Sequence, residues 1–147
     1  MEKQIRTLIA DNDTQFATSL KLFLDTQADI KVVNLVRDGH GAISASKDAR
    51  PDLVVMDLHL PVVDSVRAVQ SIIDDNELAR ILVISAKPND RYAIEAIKAG
   101  ASGYVFKNGA GTNAAIACAI RQIVGGEVVI NSTLASDILR EFSTNGR

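Results

Sequence analysis

The sequence predicts an α/β fold: a five-stranded parallel, doubly wound sheet with helices on both faces and an extra helix at the carboxyl end. Three observations predict it. Short apolar, β-branched runs alternate with helical-period stretches five times. The central run, Pro51-Asp52-Leu53-Val54-Val55-Met56-Asp57-Leu58-His59-Leu60-Pro61, has four consecutive apolar residues, Leu53 to Met56, the pattern of a strand buried on both faces. Finally, polar residues end several of these runs, as ligand-binding residues do at the carboxyl edge of an open parallel sheet.

The elements follow in order. Ile5 to Ala10 reads as a first strand delivering Asp11-Asn12-Asp13-Thr14, and helix one carries Phe16, Leu20, Phe23 and Leu24 at amphipathic spacing. Lys31 to Arg37 is a β-branched second strand, and an alanine-rich helix from about Gly41 to Ala49 ends at Pro51. Past the central strand, Val66, Val69 and Ile73 mark a third helix, and Ile81 to Ile84 form a buried strand ending at Ser85. Asn89 or Asp90 can cap a fourth helix bearing Ile94 and Ile97 and closed by Gly100. Tyr104-Val105-Phe106 is a short fifth strand ending at Lys107. A helix from about Thr112, its cap, to Val124 turns Ile116, Ala119, Ile120 and Ile123 inward and stops at Gly125-Gly126. Beyond it Glu127 to Ile130 can be extended, Asn131 or Ser132 can cap a last helix with Leu134, Ile138 and Phe142 on one face, and the polar end from Ser143 is expected to fray.

A chain of 147 residues suffices for one domain with its own core. Its formal charge of −2 argues against bulk attraction to nucleic acid. The single cysteine, Cys118, excludes an internal disulfide and a cysteine-based zinc site, and its alanine- and isoleucine-rich surroundings predict core packing. No stretch is long and apolar enough for a membrane span and the amino end does not read as a signal peptide, so a cytoplasmic location is expected. Gly109-Ala110-Gly111-Thr112 lacks the lysine of a phosphate loop and reads as a turn.

Asp11, Asp57, Ser85 and Lys107 each end a strand. Two neighbouring carboxylates suit a hard divalent cation, while a hydroxyl and an ammonium suit the remaining oxygens of a phosphoryl group. In that setting Asp57 can itself be a nucleophile that forms an aspartyl phosphate. Taken singly, each has a plainer role: helix cap for Asp11, turn for Ser85, surface lysine for Lys107. Their joint occurrence on strand ends favours the site.

Leu8 to Asp11, Pro51 to Pro61, Leu82 to Ala86 and Ala99 to Lys107 together resemble the CheY-like receiver domain of two-component response regulators, over about Lys3 to Gly126, and most closely its LuxR-type (NarL-like) branch. The resemblance implies a flavodoxin-like strand order 2-1-3-4-5. It implies that Asp57 accepts a phosphoryl group from a sensor histidine kinase, and that Asp11, the Asp57 carboxylate and the His59 backbone carbonyl hold Mg²⁺. Ser85 and Lys107 would bind phosphoryl oxygens, Tyr104 would turn inward as Ser85 moves, and small Ala86 would leave the site open. His59 and Lys87 flank the pocket, where they either tune the lifetime of the phosphate or stand in solvent.

Two positions depart from the family. Asn12 stands where a second acid is usual; its amide oxygen can join the metal set but adds no charge, so weaker Mg²⁺ binding is expected, with Asp13 either compensating or capping helix one. Ser65 replaces a common glycine and implies a different loop over the site. The resulting expectation is a phosphorylation-controlled switch rather than an enzyme. It would control an output, transcription above all, through the fourth helix, fifth strand and following helix, where a homodimer could also form. Arg91, Glu95, Lys98 and Arg121 are the exposed candidates on that face. The alternatives are a phosphorylation-independent pseudo-receiver acting as an interaction module, which Asn12 supports, and an aspartyl-phosphate phosphatase, which lacks its second acid after Asp57. Residues 1–126 are assigned to the receiver and 127–147 to a tail helix: either a linker towards an absent helix-turn-helix domain, the favoured reading and the only part that would touch DNA, or the end of a stand-alone receiver.

Overall fold

Alternation of side chains along each buried strand decides which helices pack on which face. In the computed structural model, which describes residues 3–145, the strands are β1 (Ile5–Ala10), β2 (Ile30–Val36), β3 (Leu53–Asp57), β4 (Ile81–Ser85) and β5 (Gly103–Phe106). The helices are α1 (Thr14–Asp25), α2 (Gly39–Ala49), α3 (Ser65–Asp75), α4 (Tyr92–Lys98), α5 (Thr112–Val124) and α6 (Ser132–Asn145). All pairings in the sheet are parallel, in the order β2-β1-β3-β4-β5, as the resemblance implied. Val54, Met56, Ile81 and Val83 face one core, covered by α2, α3, α4 and Leu134 of α6. Leu53, Val55, Leu82 and Ile84 face the other, covered by α1 and α5.

The register sets the strand ends level. Ala10 pairs with Met56, Asp57 with Ile84, and Ser85 with Phe106, so Asp11, Asp57, Ser85 and Lys107 emerge along one edge. After β5 the chain returns to this sheet. Val129 bridges Gly103 in parallel and its carbonyl accepts the Tyr104 N–H at 2.8 Å, which covers the outer edge of β5. Gly103 allows this approach, because a Cβ there would lie 2.8 Å from the Val129 carbonyl oxygen.

Several expectations need correction. Cys118 is exposed: Ile116, Ala117, Ala119, Ile120 and Ile123 fill the buried stripe of α5, and Cys118 sits about 200° around the helix from Ile116. Thr112 does not cap α5; its Oγ1 accepts the Asn108 N–H at 2.7 Å and closes the preceding turn. In α3 the buried residues are Ser65, Ala68, Val69 and Ile72, a stripe turned by about one residue from that expected, and in α4 Ala93 and Ala96 lie deepest with the isoleucines flanking them. Phe142 is 64% exposed, because α6 outruns α4, and the Lys98–Glu141 ion pair at 2.6 Å ties the end of α4 to α6 one residue before it. α6 stays helical through Asn145, and the remainder of the tail expected to fray, Gly146 and Arg147, lies outside the described residues. Arg121 is engaged with the turn between α1 and β2, where it makes a two-point contact with Asp29 at 2.8 and 2.9 Å.

Gly39 opens α2 directly against the loop after β3; its N–H donates to the Pro61 carbonyl at 3.1 Å, and a Cβ would lie 1.9 Å from the Val63 carbonyl oxygen. Because that atom is backbone, the loop itself must move. Gly39→Ala is therefore expected to cost about 2 kcal/mol or more. A urea midpoint equal to that of the parent would refute this packing.

Candidate functional site

Two of the strand-end residues meet at one cation. Asp11 and Asp57 are 1% and 9% exposed, and the Lys107 ammonium lies 2.8 Å from Asp11 Oδ2 and 2.7 Å from Asp57 Oδ2. The Asp57 contact is a directed hydrogen bond, while the Asp11 contact is an ion pair of poorer alignment, so Asp11 Oδ2 is the less well satisfied of the two. The other oxygens are held by the backbone: Asp11 Oδ1 accepts the Asp13 N–H at 2.8 Å, and Asp57 Oδ1 accepts the His59 N–H at 2.7 Å. Phe16 lies against the ammonium, with Nζ 4.2 Å from the ring centroid, a cation–π contact that helps fix the lysine.

Electrostatics follow from this crowding. Burial pushes the Asp11 carboxyl above its ordinary range and the charge of Asp57 adds to that, outweighing the Lys107 ammonium and the Asp13 N–H. Burial works against the Lys107 ammonium too, but its contacts with Asp11 and Asp57 win and hold its pKa above the usual lysine value. The two directions pull apart. For stability the acid decides, because at Asp11 burial outweighs the Lys107 contact, whereas at Lys107 the contacts outweigh burial. Two carboxylates against one ammonium leave a formal charge of about −1, counted from Asp11, Asp57 and Lys107.

This donor set fits a hard divalent cation such as Mg²⁺. Buried Asp11 Oδ2 has a free lone pair, the acid opposite it is oxygen-only, and nearby backbone carbonyls can complete the set. Side chains alone would not make a metal cage, since the described residues hold no group of three or more His, Cys, Asp or Glu placed for one.

The remaining site residues lie around this centre. Ser85 is wholly buried, and its hydroxyl donates to Asp90 Oδ2 at 2.6 Å while accepting the Lys87 N–H at 3.0 Å. Asp90 also receives His59 Nε2–H at 2.5 Å on Oδ2 and the Tyr92 N–H at 3.0 Å on Oδ1. Burial opposes the Asp90 charge, but the Ser85, His59 and Tyr92 donors overcome it and lower its pKa. Tyr104 is already buried, its hydroxyl 3.4 Å from the Lys87 carbonyl, and it lines a groove of about 760 Å³ between α4 and α6. Asn12, Ala86 and Lys87 are exposed at the rim, and the Asn12 side chain engages none of the site residues. Asp13 caps α1 through the Phe16 N–H at 3.1 Å rather than reaching the acids.

Three residues have contacts at the site that the sequence pattern does not show. Asp90 reads as a helix cap, and its Oδ1 does accept the N–H of Tyr92, the first residue of α4, but its Oδ2 also serves Ser85 and His59. Phe16 carries only the signal of an amphipathic face. Ser65, wholly buried, donates its Oγ–H to the Asp57 carbonyl at 2.5 Å and accepts the Leu60 N–H at 3.4 Å. It thus ties the loop after β3, where Val62 takes a φ of 73°, back to the strand end.

The model for the response regulator receiver domain matches residues 7–117. The uncharacterized transcriptional regulatory protein YhcZ of Bacillus subtilis is 30% identical over 135 residues, which cover 92% of this chain and 62% of YhcZ. The oxygen regulatory protein NreC of Staphylococcus aureus is 28% identical over 142 residues, covering 96% of this chain and 64% of NreC. The chain thus spans a little under two thirds of the length of these curated relatives. A crystal structure of a LuxR-family two-component response regulator from Aurantimonas is similar, with TM-score 0.83 and 28% identity, covering 95% of this chain and 98% of that one.

The Asp11 carboxyl predicts a response to metal. A carboxyl whose pKa is raised on folding opposes folding once ionised, so above that pKa the charge is a cost, removed by protonation, neutral replacement or a bound cation. At pH 7 in chelator, Asp11→Asn is expected to raise stability by about 1 kcal/mol, or about 3 °C in Tm. Mg²⁺ should stabilise the parent and not the variant. Equal Mg²⁺ shifts in both would exclude Asp11 as a ligand.

Proposed function

This chain belongs to the response regulator receiver domain family, and we propose that Asp57 is its phosphoacceptor, taking a phosphoryl group from the phosphohistidine of a sensor histidine kinase. The observation that carries this reading is the buried Asp57 carboxylate at the end of β3, bonded to Lys107 and facing Asp11 across the same ammonium. One Asp57 carboxylate oxygen attacks phosphorus as the P–N bond to the donor imidazole breaks, and that nitrogen leaves with the bonding pair and takes up a proton. Lys107, fixed by Phe16 and both acids, pairs with a phosphoryl oxygen; Ser85 supplies a hydroxyl to another. Receiver domains generally bind Mg²⁺. Here Asp11, Asp57 and the His59 carbonyl would hold it, with Asn12 contributing no charge. When bound, the ion draws electron density from the phosphoryl oxygens so that a carboxylate can approach.

As a receiver, the chain is a switch between two populations biased by one added dianion. The pseudo-receiver alternative is not favoured, since Asp11, Asp57 and Lys107 are assembled in one contact set. For the whole protein, we assign residues 1–126 to the receiver and 127–147 to the link towards a DNA-binding output in the cytoplasm, in keeping with relatives named as transcriptional regulators. No helix among the described residues is long and apolar enough to cross a membrane. A homodimer through α4, β5 and α5 would meet α6 first, because α6 packs on α4.

Intact-protein mass after incubation with acetyl phosphate is expected to show one Mg²⁺-dependent phosphate adduct, absent in Asp57→Asn. An adduct that persists in that variant would move the acceptor elsewhere. Asn12→Asp, which deepens the formal pocket charge from about −1 to about −2, should tighten Mg²⁺ roughly tenfold. Unchanged affinity would show that Asn12 does not limit the metal.

A further inference from the structure

A hydroxyl has one proton to give. In this structure Ser85 gives it to Asp90 Oδ2 at 2.6 Å, and both groups are buried, so water does not offer a ready substitute. Asp90 joins three parts of the site edge: Ser85 at the end of β4, His59 in the loop after β3, and the Tyr92 N–H at the start of α4. The His59 and Tyr92 rings also meet edge to face, with centroids 5.4 Å apart. We infer that Asp90 is a positioning residue, a latch that competes with the phosphoryl group for the Ser85 proton and holds the β4–α4 loop in the resting arrangement.

This inference rests on the reading of Asp57 as phosphoacceptor and adds a residue to it. For Ser85 to donate to a phosphoryl oxygen, its bond to Asp90 must break. Asp90 Oδ2 then keeps only His59 as a side-chain donor. A ligand that needs the free hydroxyl binds more weakly by the fraction of molecules in which it is free. Because Asp90 precedes Arg91 and α4, release also loosens the loop that leads into that helix, so the competition at one proton is felt at α4.

The two oxygens of Asp90 have separate tasks, which makes a selective test available. In Asp90→Asn, Oδ1 can still accept the Tyr92 N–H, while an amide NH₂ replaces the acceptor facing Ser85. Beryllofluoride, a phosphoryl mimic, is titrated with Mg²⁺ into the parent, Asp90→Asn, Ser85→Ala and the double variant, and the bound fluorine resonances are followed by ¹⁹F NMR. Asp90→Asn is expected to bind about tenfold more tightly than the parent, the size set by losing a hydrogen bond to a charged acceptor. In the Ser85→Ala background the same substitution should change affinity less than about twofold, because its effect passes through the hydroxyl. Asp90→Ala should move affinity in the same direction as Asp90→Asn, which guards against a folding defect peculiar to the amide. If the parent binds and Asp90→Asn binds no more tightly, or if its gain persists without Ser85, the latch is overturned while the phosphoacceptor reading stands. If no variant binds beryllofluoride at any concentration, the phosphoacceptor reading falls, and the latch with it.

Discussion

The ammonium of Lys107 between Asp11 and Asp57 is the contact on which the rest of the site depends. Two buried carboxylates on adjacent strands repel, and without a cation at least one would tend to take up a proton and lose its use as a nucleophile or ligand. One ammonium cannot neutralise both. The pocket therefore keeps a net negative charge, and the raised pKa of Asp11 records the unrelieved part. A site stabilised just short of neutrality has affinity for a dication, and with the dication present, for an anion. Full neutralisation by a second lysine would fold better and bind worse.

The sheet makes that contact possible at low cost. Parallel strands joined by right-handed crossovers bring every carboxyl end to one edge. The register then sets Asp11, Asp57, Ser85 and Lys107 side by side without any of them leaving regular backbone. Of the three non-glycine residues at positive φ among those described, Val62 and Asn89 lie in the loops above the site, at 73° and 54°, and Arg50 ends α2 at the opposite edge, at 47°. Ser65 offsets some of the strain at Val62 by anchoring its loop to the Asp57 carbonyl. The serine that departs from the family's usual glycine thus has a definite partner here: a side-chain bond holds the loop where backbone freedom would otherwise serve.

Legibility in the sequence followed the same physics. Asp11, Asp57, Ser85 and Lys107 could be read because each closes an apolar run, and the order of runs fixes where strand ends lie. Asp90 could not, because an acid before a helix has the same local pattern whether it caps that helix or reaches a neighbouring strand. In the fold the loop bends at Asn89, at a φ of 54°, and the Asp90 carboxylate meets Ser85. Cys118 is left exposed because in a helix of alanine and isoleucine the apolar content exceeds the width of the buried stripe, and composition does not say which residue lies outside it. Phe142 shares the face of Leu134 and Ile138 as the spacing predicts, but helical spacing does not give the length of the surface that the face rests on, and Phe142 lies beyond it.

α4 is the mechanical link between the site and the tail. At its first residue Tyr92 packs its ring on His59 and gives its N–H to Asp90; at its last, Lys98 pairs with Glu141 of α6. Between them Ala93 and Ala96 are small enough to bring the helix axis close to the sheet, so its motion has little slack. Leu134 is buried on the same core and Ile138 packs beside it, which makes α6 a neighbour that any displacement of α4 must shift or deform. A helix of seven residues holds its position mainly through such contacts, since its own hydrogen bonds are too few to fix it. The segment joining the acids to the carboxyl end is therefore the one least able to stay put when a bond at its start is exchanged.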